Sequence, residues 1–238
     1  MAMNNNGIRT ILALMVLAGG AGWIAHSVIS HGGKHHIPAN DAEADEITGS
    51  GTMVTVDRPI GDVHAIVLDG TYKVTITVGP AAAFRLTADD NVAPLIEART
   101  EDGELTVSSH RDFTTDHHPS LAISLPSLDR LKLETSSVTI TGLKGARFDL
   151  TIEGASEVEA SGAVEASTIE VDGAGRLNLR SLQVGDMTLR MDGAGAAEVT
   201  ATQSLDVRID GAGAVSYAGN PAHVTRKIDG FGHIGPAT

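Results

Sequence analysis

Six acidic residues recur along the second half of the chain, each directly after a short run in which apolar and polar residues alternate. Successive members are 19, 19, 20, 18 and 19 residues apart. If these runs stack as neighbouring strands, the carboxylates lie about 4.8 Å apart, and each adjacent pair repels by about 0.9 kcal/mol even in water. We call the set the acidic column: Glu134, Glu153, Asp172, Asp192, Asp210 and Asp229.

Two arrangements could offset this repulsion. A hard cation such as Ca²⁺ could bridge successive carboxylates, and the candidate ligands are Asp172, Asp192, Asp210 and Asp229. Alternatively, basic side chains two residues earlier on the same strand face neutralise the column. These are Lys132, Arg190, Arg208 and Lys227. The sequence favours the second arrangement, so it predicts no metal and no other cofactor.

Other residues with chemical potential receive a structural interpretation. Asp89 and Asp90 resemble a paired acid and base, but adjacent residues of a strand point to opposite faces and cannot flank one bond. Two histidine groups could capture zinc, but clustered histidines in loops are usually solvated polar residues. They are His31, His35 and His36, then His110, His117 and His118 near Asp112 and Asp116. Since no nucleophile elbow or nucleotide loop is present, we predict no catalytic residues.

A glycine directly follows five of the acidic residues, and the residue two places after that glycine is glycine or serine. Glycine at a fixed place in every repeat indicates a corner that needs a positive φ or a close backbone approach. A phosphate-binding loop would need a helix after the glycines, and strands follow instead. The predicted structural corners are Gly154, Gly173, Gly193, Gly211 and Gly230.

The repeat predicts stacked coils of about 19 residues over 129–238, with apolar columns facing inward. One column holds Leu131, Leu150, Ile169, Leu189 and Val207, interrupted by Arg226 in the last coil. A second holds Leu133, Ile152, Val171, Met191, Ile209 and Ile228. A third holds Val138, Val158, Leu177, Ala197, Val215 and Ile234. An exposed last coil is expected to carry such an interruption.

The first half of the body, 52–128, has short alternating runs typical of strands and no helical pattern. Turn signals separate these runs, notably Asp69-Gly70, Gly79-Pro80 and Asp102-Gly103. The fold class predicted from the residues is therefore all-β, with an irregular β-rich part followed by the repeats.

Several segments together resemble the auto-transporter adhesin family that carries a head GIN domain. They are Gly49-Ser50-Gly51-Thr52, the pair from Val67 to Gly70 and Val78-Gly79, Ala88-Asp89-Asp90-Asn91 with Pro94-Leu95-Ile96, 102–107, the glycine corners, and Tyr217 to Pro221. The resemblance covers residues 49–238 and implies a right-handed parallel β-helix-like domain and export from the cytoplasm. It implies no established activity. The chain departs from the family at the acidic column, where the family usually has serine.

Residues 1–30 contain Arg9 and then an apolar run over 11–29, which predicts a signal peptide or an N-terminal membrane anchor. Residues 31–51 form a polar, acidic linker. The net charge of −13 argues against binding nucleic acid or anionic lipid. We therefore expect an exported protein of the periplasm or cell surface, with the membrane reached only through residues 11–29.

The function expected from these features is a non-catalytic, adhesin-like module that binds or displays something in the cell envelope. Its regular outer faces would contact a glycan, a protein or another copy of the chain through repeated weak contacts. Two alternatives stay open: an enzyme that acts on polysaccharide from a β-helix scaffold, and a structural periplasmic spacer.

Overall fold

The structure is a computed structural model that describes residues 46–237. The predicted signal or anchor and the histidines at 31, 35 and 36 lie outside the described residues. Within the described range, the chain contains no helix with the length and apolarity needed to cross a bilayer.

Eleven strands and one short 3-10 turn make up the described part of the chain, which confirms the all-β class. The strands follow one another with few loops because β-branched residues and alternating polarity dominate the sequence. They are β1 Ile47–Thr48, β2 Met53–Arg58, β3 Ala65–Val78, β4 Ala83–Asp89, the turn Ala93–Leu95, β5 Ile96–Glu101, β6 Glu104–Ser109, β7 Phe113–Thr114, β8 Ser120–Leu125, β9 Arg130–Ile152, β10 Ala155–Ala218 and β11 His223–Pro236.

The second half is held together by parallel ladders in register with the sequence repeat. β11 pairs with β10 so that Ile228 faces Ile209, and the offset between partners stays constant along the whole ladder. β10 pairs with β9 so that Val158 faces Val138, and the offset shortens at a bulge after Ala160. We call each stretch of chain that stacks on the preceding one a layer. Equivalent positions of successive layers therefore lie side by side.

Strand β3 forms the first layer, although it belongs to the half expected to be irregular. It pairs in parallel with β9 on one side, and with β6 and then β8 on the other. Leu68 faces Leu133, so Asp69 occupies, one layer earlier, the position that Glu134 has in the acidic column. Asp69-Gly70 is a corner inside one strand, with Gly70 at a φ of 128°, and not a turn between two strands.

The two ends of the layered body differ. The first layer is covered by β8, which pairs with it in parallel, and then by β4 and β2, which continue the sheet in antiparallel pairing. The hairpin of β5 and β6 covers the rest of this end. Residues Ile47 and Thr48, assigned to the linker from sequence, pair with Phe113 and Thr114. At the other end β11 is the edge of the sheet, paired only with β10 within the described range.

The core consists of the three inward columns and the apolar faces of the first half, and the structure places all but one of the predicted apolar residues inside. Ile228 is the exception: its side chain is 37% exposed, because no layer follows it in the described chain. Arg226 lies beside it, where earlier layers carry buried Leu, Ile or Val. The Arg226 guanidinium donates to the backbone oxygen of Ile234, 3.4 Å away across the end of the core. Ile234 stays only 6% exposed.

Candidate functional site

The corner glycines bring the backbones of successive layers close together. Gly173, Gly193, Gly211 and Gly230 have φ values of 134°, 135°, 132° and 143°, in the region that residues with a Cβ rarely adopt. Gly154 lies outside that region, but a Cβ there would stand 2.6 Å from the Glu134 oxygen. Each corner therefore requires glycine for its conformation, for its neighbour, or for both.

In the first corners a serine occupies the position at which later layers have a second glycine, two residues after the corner glycine. The Ser156 hydroxyl donates to the Glu134 oxygen at 3.3 Å and accepts the Ser136 N–H at 3.1 Å. The Ser136 hydroxyl in turn donates to the Gly70 oxygen at 3.2 Å. These buried serines bond the backbone groups that the corner leaves unpaired. Gly175, Gly195, Gly213 and Gly232 take the equivalent place later in the chain.

A groove of about 850 Å³ runs beside these corners across five layers, and its lining is mostly apolar. One lining set, the corner column, contains the residues at the tips of the corners: Thr71, Thr135, Ala155, Ala174 and Ala194. The other set, the side column, lies two residues further along each layer: Lys73, Ser137, Glu157, Arg176 and Ala196. His118 lies at the end near the first layer. The groove thus presents similar backbone once per layer, about every 4.8 Å.

The corner column continues beyond this groove and changes character in the last layer. Ala212 pairs with Phe231, whose side chain is 85% exposed. Three large hydrophobic side chains are exposed in the described chain, and two of them, Ile228 and Phe231, belong to β11. The ring of Phe231 lies two layers beyond the last residues that line the groove.

Two of the four basic residues beside the acidic column form ion pairs with it. Lys132 does contact Glu153 at 2.9 Å, and Lys227 contacts Asp229 at 2.5 Å. Arg190, however, pairs with Glu170 of the neighbouring layer at 3.1 Å. Likewise Arg208 pairs with Asp206 of its own strand at 3.3 Å.

Each of the two arginines thus reaches a carboxylate outside the column, and neutralisation of the column by them stays a prediction. As a result, Asp172, Asp192 and Asp210 form no ion pair within residues 46–237. In the same range no group of three or more His, Cys, Asp or Glu side chains is arranged to hold a metal. Calcium binding by the column stays an untested alternative.

The first carboxylate of the column lies close to another acidic side chain. The Glu134 side chain shares a hydrogen bond with Asp69, and this bond, burial and the charges of Asp69 and Glu153 raise the pKa of Glu134 above its usual value. The folded protein therefore holds the Glu134 proton more tightly than the unfolded chain does. The contribution of this group to stability is fully present below the ordinary glutamate pKa and is lost as the pH rises through the folded value.

Glu134→Gln is expected to remove this pH dependence, because glutamine keeps a hydrogen-bond donor toward Asp69 without the charge. The free energy of unfolding of the variant should equal that of the native chain at pH 4. At pH 7 it should be higher by at most about 1 kcal/mol, since the side chain of Glu134 is exposed. Thermal unfolding across this pH range measures the difference. A gain that is largest at pH 4 would contradict the shared proton.

Comparisons with known proteins add the following. Residues 62–221 match the family described as "Putative auto-transporter adhesin, head GIN domain". The chain belongs to this family. The resemblance seen in the sequence is thereby confirmed. No curated protein matches the chain.

One solved structure supports the fold of this head GIN family member. A putative adhesin from Bacteroides fragilis shares 18% identity and a TM-score of 0.64, over 80% of this chain and all of that one. A second putative adhesin, from Parabacteroides merdae, shares 18% identity and a TM-score of 0.49, over 82% of this chain and all of that one. At this identity the likeness to the first shows the fold alone.

Two of the head GIN sequence segments meet in the structure as a clamp. The buried Asp89 carboxylate accepts the Gly51 N–H at 2.9 Å and the Thr115 hydroxyl. Asn91 donates its side-chain amide to the Thr48 oxygen at 2.8 Å and accepts the Ser50 N–H at 2.9 Å. These residues fasten 48–51 to the end of β4. The sequence did not indicate this contact, because it joins segments that are distant in the chain.

Proposed function

We propose that the protein is an exported, non-catalytic binding module of the cell envelope, in which the corner groove docks an extended partner. In this proposal the layers form a right-handed parallel β-helix whose coils each correspond to one sequence repeat. The observation that carries it is the groove itself: a mostly apolar, open depression that repeats the same geometry over five layers. Depressions of this volume are typical of ligand sites.

Membership of an adhesin-like family supports an exported location and a binding role. The enzyme alternative lacks support in the groove. Two layers lie between Lys73 and Arg176, and Glu157 is the only carboxylate among the groove's lining residues. A polysaccharide-hydrolysing site would need paired carboxylates facing one bond, and another polysaccharide-acting site would need clustered Asp, Lys or Arg side chains in the groove. A pure spacer would have no need of an apolar groove or of the exposed ring of Phe231.

The test fills the groove without disturbing the core. Ala194→Trp places a large ring on an exposed corner methyl, and Ala146→Trp adds the same ring to an exposed corner on another side of the layers. Full-length protein is mixed with the envelope fraction of the cells that produce it and sedimented. We expect Ala194→Trp to lose at least about tenfold in binding and Ala146→Trp to bind like the native chain. Equal behaviour of the two variants would contradict the groove as the docking surface.

Location decides between the binding module and the spacer. The chain contains no cysteine, so a cysteine introduced at the exposed Ala146 would be its single thiol. Labelling of intact cells with an impermeant thiol reagent is expected to modify this variant if the protein lies on the cell surface. Labelling only after the cell envelope is permeabilised would favour a periplasmic partner. If Ala194→Trp also leaves sedimentation with envelopes unchanged, the spacer is favoured instead.

A further inference from the structure

We infer that the groove and Phe231 bind a single strand of an uncharged polysaccharide, laid along the stacking direction with about one sugar per layer. This inference rests on the proposed docking function of the groove. It adds the chemical class of the partner and includes Phe231, which lies two layers beyond the last residue lining the groove.

The repeat length of the groove fits a polysaccharide better than other extended chains. The layers follow at about 4.8 Å, a spacing of the same order as the length of one sugar ring in an extended β-1,4-linked strand. An extended polypeptide advances about 3.3 Å per residue, so its side chains would lose register with the layers. An acyl chain has no repeat to match. A partner in register gains the same weak contact at every layer, which is how repeated surfaces reach useful affinity.

The lining matches the two kinds of surface that a sugar ring offers. The corner column supplies methyl groups from Ala155, Ala174 and Ala194, which fit the C–H face of a ring. The side column supplies hydrogen-bonding groups from Lys73 and Arg176, which form no ion pair among the described residues. Sugar hydroxyls both donate and accept hydrogen bonds, so they can satisfy donors of this kind at the edge of the ring.

Phe231 completes the surface at its far end. Its position in the corner column is occupied by threonine or alanine in every earlier layer, and its ring is 85% exposed. An aromatic ring contacts large apolar area at small entropic cost. Stacking of the terminal sugar on this ring would hold the strand in register with the layers.

Charge selects against acidic polysaccharides. The acidic column lies two residues before the corner column, and Asp172, Asp192 and Asp210 have no ion-pair partner in the described part of the chain. The whole chain carries a net charge of −13. Lys73 and Arg176 lie in the lining, but the acidic column and the net charge of the chain place more negative than positive charge beside the groove. Carboxylated or phosphorylated strands would therefore meet net repulsion, most strongly at low ionic strength. The occupant is therefore uncharged.

Calorimetric titration of the full-length protein tests this with a defined panel of hexasaccharides. The uncharged probes are β-1,4-linked glucose, β-1,4-linked N-acetylglucosamine, β-1,4-linked mannose, β-1,3-linked glucose and α-1,6-linked mannose. Hexagalacturonate is the acidic probe, and the disaccharide of each series controls for length. We expect at least one uncharged hexamer to bind at least tenfold more tightly than its dimer, and hexagalacturonate not to bind. Binding of hexagalacturonate as tight as that of the best uncharged hexamer would overturn the inference.

Two variants test whether a hexamer that binds does so at the groove. Phe231→Ala removes an exposed ring and should leave the melting temperature unchanged. It should lower the affinity for the tightest-binding hexamer at least tenfold. Ala194→Trp should do the same, and Ala146→Trp should have no effect. Binding that Phe231→Ala and Ala194→Trp leave intact would overturn the assignment to this surface, and so would a panel in which no uncharged hexamer binds.

The outcome separates this inference from the proposed function. If Ala194→Trp abolishes sedimentation with envelopes while no uncharged hexamer binds, the docking surface stands and its partner is not a neutral glycan. An extended polypeptide or an apolar chain would then be the occupant. If Ala194→Trp has no effect in either experiment, both the groove function and the glycan inference fall.

Discussion

Ile209→Asp is expected to unfold the last layers of the body, at a cost of several kcal/mol. Ile209 is 1% exposed, and its column neighbour across the β10–β11 ladder is Ile228. An aspartate at this place would lie in the apolar core, and burial of a carboxylate there is among the most destabilising single changes. Denaturant unfolding followed by circular dichroism should show a lower midpoint.

The chain offers a matched control one layer further along. Ile228→Asp introduces the same change in the same column, but at a side chain that is 37% exposed, so the carboxylate can remain hydrated. We expect a loss of less than about 1 kcal/mol there, as for most exposed positions. If the two substitutions destabilise the protein equally, the column does not have the burial gradient that the structure shows.

The repeated part of the fold could be predicted because local and long-range signals coincide there. A segment such as Val207 to Gly211 combines strand alternation, a charge and a corner glycine, and its recurrence from Arg226 to Gly230 gives the register of the ladder directly. The all-β class and the inward columns follow from this pattern. The exposed side chain of Ile228 does not, because it depends on the absence of a following layer in the described range.

The first layer was missed because its partner in the ladder is distant in sequence. Leu68 faces Leu133, although strands β4 to β8 all lie between β3 and β9 in the chain. The signal was nevertheless present: Val67-Leu68-Asp69-Gly70 has the same order of apolar, acidic and glycine residues as the later corners. The turn chemistry of Asp-Gly favoured a hairpin, and the parallel pairing prevailed.

The candidate site could be predicted only in part. The corner glycines and the acidic column were found by spacing, but the groove depends on how the backbone bends at each corner, which spacing does not give. The ion pairs of Arg190 and Arg208 depend on side-chain conformation, because alternation fixes the face of a strand but not the reach of a long side chain. Phe231 was visible as the large residue in an otherwise small Gly-x-Gly position.

Gly193→Val is expected to destabilise the protein by at least about 2 kcal/mol, because two independent costs act at one residue. The φ of Gly193 is 135°, where a β-branched residue is strained, and a Cβ would stand 2.2 Å from the Gly173 oxygen. That oxygen belongs to the neighbouring layer and cannot withdraw without breaking the parallel register. Thermal unfolding of the variant should show a large decrease in melting temperature.

Two other glycines separate the contributions. Gly145→Val meets a φ of 146° with no atom within 4 Å of the added Cβ, so it should show the conformational cost alone. Gly79→Val meets neither a positive φ nor a close atom and should change the melting temperature little. We expect the decrease in melting temperature to be largest for Gly193→Val, smaller for Gly145→Val and smallest for Gly79→Val. If Gly193→Val costs no more than Gly145→Val, the layers at this corner can move apart, and close backbone approach is not what requires glycine there.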